Sequence, residues 1–96
     1  MVVNRIGGGL PLGDGRVGIP LDGLPERAWM DELREAITKE REEDPLWQHA
    51  AVAVTADEVN GVPHLVFPTD GIDDAQFIVL YVAPIDTAIA AANAAR

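Results

Sequence analysis

The chain of 96 residues has no cysteine, which excludes disulfide staples, thiolate zinc sites and thiol nucleophiles and accords with a reducing compartment. It has no serine either, so nucleophilic catalysis would have to draw on Thr38, Thr55, Thr69 or Thr87, and none of these stands beside a recognisable base. Basic residues are scarce: seven Lys and Arg stand against sixteen Asp and Glu, a formal charge of −9. That balance repels phosphate backbones and anionic membrane surfaces, and argues against direct contact with nucleic acid or membrane. Aromatic side chains make up only 5% of the chain, so the core is expected to consist mainly of Val, Ile, Leu and Ala. The longest apolar run, Phe77 to Ile85, falls well short of the roughly 20 residues that cross a bilayer, and Met1 to Ile6 lacks the apolar core of a leader. The expected location is the cytoplasm, or a host cytoplasm or virion if the protein is viral.

With 48% apolar residues the chain has the makings of a compact fold, and its length allows one domain, 1–96. Residues 1–23 read as a glycine-rich extended segment in which Asp14-Gly15 forms a hairpin turn between Leu10-Pro11-Leu12 and Val17 to Leu21. Pro11 and Pro20 lack a ladder donor and predict edge positions. From Pro25 the period changes, with Trp29, Leu33 and Ile37 four residues apart, which predicts an amphipathic helix over roughly 25–43. Asn60-Gly61 then joins Ala51–Val59 to Val62–Phe67 in a second hairpin, with Val59 opposite Val62, Ala56 opposite Leu65 and Asp57 opposite His64. That register predicts a solvent-side pair between Asp57 and His64.

The final segment carries two signals. Asp73 and Gln76 have capping-box spacing, which favours a helix from about residue 74 kinked at Pro84. The composition of 76–82 fits a third strand of this second half instead, with Pro84 opening a shorter helix. The kinked helix is preferred. The fold expected is α+β: a small antiparallel sheet packed on one face by two helices, in the order β-hairpin, helix, β-hairpin, C-terminal helix.

Candidate chemistry is sparse. Gly13-Asp14-Gly15-Arg16-Val17-Gly18 matches G-x-G-x-x-G, but the residues that follow, Ile19-Pro20-Leu21, cannot open the helix that a dinucleotide site needs. His49 and His64 are the only imidazoles, too few for a zinc site. Asp70, Asp73 and Asp74 around Gly71 lack the alternate spacing and closing Glu of a calcium loop, and suit helix capping better. No cofactor or metal is expected. Glu40, Glu42, Glu43 and Asp44 crowd the C-terminal end of the first helix, where the helix dipole disfavours anions, and so form either a solvated face or an anionic binding surface. Trp47 and Gln48 follow Pro45 in a connector, where a large aromatic either plugs the core or anchors an interface.

Ile19-Pro20-Leu21, Leu24-Pro25 with Trp29 and Leu33, and Ile85-Asp86-Thr87-Ala88-Ile89-Ala90-Ala91-Ala92-Asn93 together resemble small proteins of actinobacteria and their phages. The resemblance implies a short α+β chain ending in an alanine-rich helix, and it implies no activity.

The function expected is that of a non-enzymatic, acidic protein-interaction module, such as an actinophage accessory, virion or assembly protein or a small bacterial adaptor. It would engage a protein partner or a second copy through an apolar patch near Trp47 or along Phe77 to Tyr81, with Glu40, Glu42, Glu43 and Asp44 as the acidic component. The alternative is a DNA mimic in which Glu40 to Asp44, Asp57, Glu58 and Asp70 to Asp74 occupy the basic groove of a nuclease or other DNA-binding protein. An enzyme is the weakest of the three readings, because no nucleophile, base and orienting group converge in the sequence.

Overall fold

The computed structural model describes residues 1–69 and 71–95. Two hairpins build one sheet. Strands β1 (Leu10–Gly13) and β2 (Arg16–Pro20) turn at Asp14-Gly15, where both residues adopt positive φ. Strands β3 (Thr55–Val59) and β4 (Val62–Pro68) turn at Asn60-Gly61, again with positive φ at both residues, the combination a two-residue type I′ turn requires. The strand order is β1-β2-β4-β3, antiparallel throughout. The second hairpin has the register expected from its turn, with Val59 opposite Val62 and Asp57 opposite His64. In the first hairpin only β1 is an edge. Strand β2 lies inside the sheet, and Pro20 is tolerated because it is the strand's last residue.

Three helices, one more than expected, cover the face of the sheet that carries Val17, Ile19, Leu65 and Phe67. Helix α1 is Arg27–Lys39, and it buries Trp29, Met30, Leu33 and Ile37. The additional helix, α2 (Pro45–Val52), occupies what reads in sequence as a connector and the start of a strand. Pro45 sits in its first turn, where a missing N–H goes unnoticed, and the strand that follows is correspondingly shorter than Ala51–Val59. Helix α3 (Asp74–Ala94) runs through Pro84 without a break in helical structure. The strand alternative for 76–82 is therefore not adopted. The Asp73 carboxylate caps α3 by accepting the Gln76 N–H at 3.2 Å.

Residues 3–6 lie beside the end of β2, with the Ile6 N–H donating to Pro20 and the Asp22 N–H to Asn4. Val3 is thereby drawn into the core. Asn93 of α3 secures it as a neighbouring strand would: its side-chain oxygen accepts from the Val3 N–H at 2.9 Å and its amide donates to the Val3 carbonyl at 2.8 Å. The same oxygen accepts from the Trp29 indole, so one side chain joins the N-terminus, α1 and α3.

Candidate interaction surface

The corner between α1 and α2 shows why the aromatic residues cannot serve as surface anchors. The last carbonyls of α1 need partners, and the next helix supplies them. The Trp47 indole donates to the Ile37 carbonyl at 3.0 Å, and the Gln48 amide donates to Thr38 at 2.7 Å. These bonds pull Trp47 inward, where it stacks on Tyr81 with ring centroids 4.7 Å apart and meets Phe67 and Phe77 at 6.1 and 6.5 Å. Phe77 in turn sets its edge against Tyr81 at 4.8 Å. Trp47, Phe77 and Tyr81 are all buried. The expected apolar interface at these three residues is corrected accordingly: they form the core of the helical layer.

Asp44 is also engaged internally. One carboxylate oxygen caps α2 by accepting the Leu46 and Trp47 N–H groups, and the other accepts the Tyr81 hydroxyl at 2.5 Å. The Tyr81 bond is the main reason the Asp44 carboxyl lies below the usual carboxylate range, aided by the two backbone donors and the charge of Arg41 against an opposing desolvation. Burial, followed by the bond to Asp44, pushes the Tyr81 phenol up to about 12. Arg41, in a left-handed turn conformation, places its guanidinium 5.4 Å from the Tyr81 ring centroid.

The acidic run therefore does not violate the helix-dipole rule in the way the sequence implies. Helix α1 ends at Lys39, and Glu42, Glu43 and Asp44 immediately precede the positive N-terminus of α2, where anions are favoured. Glu42 and Glu43 remain exposed and make no ion pair among the described residues. Glu40 is half-buried at the C-cap of α1.

Most of the other polar candidates also have structural partners, the exception being the buried His64 Nε2, which has none. Gly13 and Gly15 belong to the first hairpin, and Gly18 lies within β2. Asp74 accepts the Thr69 hydroxyl at 3.1 Å, while Asp70 falls outside the described residues. His64 is only 3% exposed and faces away from the helices, with its Nδ1 2.7 Å from the Val62 carbonyl. The expected solvent-side pair with Asp57 does not form: the imidazole is buried with Nδ1 turned to its own strand, and the Asp57 carboxylate accepts the Glu58 N–H. An open groove of about 520 Å³ is lined by Arg5, Asp86, Ile89 and Asn93, among others. Arg5 and Asp86 neutralise each other through paired bonds of 2.7 and 2.8 Å, and Asn93 is taken up by Val3 and Trp29. The described residues contain no cluster of three or more His, Cys, Asp or Glu able to hold a metal.

One surface of the fold has no structural explanation. Helix α3 buries Phe77, Tyr81, Ile85, Ala88, Ile89 and Ala92. Its outward side presents Gln76, Leu80, Ala83, Thr87, Ala90 and Ala94, spaced alternately four and three residues apart, with Ala75, Val79 and Ala91 beside them. None of these exposed positions is charged, although the chain carries 24% charged residues. Val79 is 77% exposed and Leu80 39%. The helix has 21 residues, and its most apolar 18-residue window has a mean hydropathy of 1.6 with 39% of that window buried, so by length and composition alone it is long and apolar enough to cross a membrane, which the contiguous run Phe77 to Ile85 is not. Its buried aromatic side and the Asp86–Arg5 pair are those of a core helix. Comparison with known protein families, curated proteins and solved structures finds no match.

Proposed function

We propose that the protein is a non-enzymatic interaction module that binds a protein surface through the outward side of α3. One observation carries this reading: a helix about 31 Å long exposes no unpaired charge on its outward side, Asp86 at the edge being paired with Arg5, while Val79 and Leu80 face solvent. Alternate spacing of four and three residues is the pattern by which one helix seats another. An accessory or assembly component of an actinophage, the setting to which the sequence resemblance points, is consistent with it. Neither nucleic acid nor an anionic membrane suits a chain of net charge −9 as a partner.

The acidic surface supports a second reading, DNA mimicry, because Glu42 and Glu43 are exposed and make no ion pair among the described residues. The two readings make opposite predictions. Under the first, Val79→Asp abolishes association and Glu42→Lys/Glu43→Lys leaves it intact, with binding that survives high salt. The reverse pattern, salt-labile binding lost only on charge reversal, would establish the mimic instead.

A further inference from the structure

We infer that the partner is a second copy of this chain, bound through α3 in an antiparallel, two-fold symmetric pair. The inference rests on α3's outward side being the interface and commits to its occupant.

The exposed positions of α3 are themselves symmetric about Ile85. Turning a second α3 end for end about that point sets Leu80 opposite Ala90 and Ala83 opposite Thr87, with Val79 along the flank of the seam. Each bulkier side chain of the seam meets a small one, so the same surface is both knob and hole. That self-complementarity is what a two-fold contact demands. A parallel pair would stack Val79 and Leu80 on their own copies and leave the alanine half of the helix in loose contact. The small residues at Ala83, Ala90 and Ala91 let the two backbones approach closely, which increases dispersion contact along the whole helix.

Charge at the contact itself is compatible with the same occupant. A basic partner gains nothing from a strip without acids, whereas the repulsion between two acidic copies acts between their bodies and not across the strip, where salt screens it. A second α3 supplies a strip likewise without unpaired charge. The required area is modest: about 800 Å² per partner is roughly one-sixth of the 5174 Å² accessible surface. Helix α3 is about 31 Å long, close to the longest extent of the molecule, 35 Å. Because both copies carry −9, added salt should strengthen this pair by screening their repulsion, opposite to the behaviour of a charge-driven complex.

Sedimentation equilibrium of the full chain over a concentration series tests the inference. The expected result is a reversible transition from 10.3 kDa to twice that mass, shifted to lower concentration by salt and moved at least tenfold upward by Val79→Asp or Ala83→Glu, with circular dichroism unchanged. Mixing Ala83→Cys with Thr87→Cys protein under oxidation should give the mixed disulfide in excess over either symmetric one, which fixes the antiparallel register. A monomer at every concentration overturns the inference, as does a dimer indifferent to both charged substitutions or an excess of symmetric disulfides. Pelleting of the wild type, but not of Val79→Asp, with uncharged phosphatidylcholine vesicles while the free protein stays monomeric would assign the strip to lipid and also overturn it. A monomer whose α3 variants still lose a defined protein partner would overturn only the second copy, leaving the broader interaction reading standing.

Discussion

The Tyr81 hydroxyl donates a 2.5 Å hydrogen bond to Asp44, so the residue that caps α2 also holds α3. Two titrations follow from this one contact. The Asp44 carboxyl is held below its unfolded value, so its contribution is complete above about pH 4 and is lost as pH falls through the lowered folded value. The Tyr81 phenol is raised to about 12, so its contribution is complete below about pH 10 and fades as pH rises toward 12. Urea unfolding as a function of pH should give a plateau between these limits. Tyr81→Phe should lower it by about 1.5 kcal/mol, the low end for a hydrogen bond to a charged group, and remove the alkaline slope. The chain has one tyrosine, so phenolate absorbance reads its titration directly.

Asp44 should differ sharply from its acidic neighbours. Asp44→Ala removes both a helix cap and the Tyr81 acceptor, and thermal unfolding should show a loss of about 1–2 kcal/mol or somewhat more. Glu42→Gln and Glu43→Gln should each stay within about 0.5 kcal/mol of the wild type, as surface changes do.

Gly18 is fixed by what lies over it. A Cβ built there meets His64 Cδ2 at 2.9 Å and a Leu12 methyl at 3.2 Å, and the imidazole is held in place at Val62. Gly18→Ala should cost about 1–3 kcal/mol by overpacking. In a His64→Ala background the same substitution should cost markedly less, and denaturant unfolding of the four proteins in a double-mutant cycle measures the difference.

Asn93 joins three separate parts of the chain, and its loss should be felt at all of them. Asn93→Ala leaves the buried Trp29 indole and the Val3 backbone without partners, an expected destabilisation of about 2 kcal/mol or more. Hydrogen exchange should show the Val3 and Ile6 amides opening before the rest of the sheet.

The sheet was legible in sequence because two independent signals agreed at Asn60-Gly61: the turn dipeptide set a register, and that register placed Ala56 and Leu65 on one face. Helix α2 was hidden because it has eight residues, too few for a clear period, and Ala51-Val52-Ala53-Val54 imitates strand alternation. The capping signal at Asp73 announced α3, but a helix apolar on nearly every side does not declare which side enters the core. Packing of Trp47 against Phe77 and Tyr81 decides that, and it depends on the hydrogen bond from Trp47 to Ile37 across the α1–α2 corner. Once those aromatic residues point inward, Val79, Leu80 and Ala83 necessarily point outward. The aromatic residues expected at the surface are therefore core, and the exposed side of α3 is the one opposite them.

The most direct test of the outward side of α3 as an interface compares two thiols in a chain that has none of its own. Val79 on α3 and Val52 on α2 are similarly exposed in a single chain, at 77% and 67%, so Val79→Cys and Val52→Cys proteins should be alkylated at similar rates when dilute. At high concentration the account predicts that Cys at 79 becomes protected while Cys at 52 does not, with the difference vanishing on dilution. Equal rates at every concentration, with or without a bound partner, would contradict it.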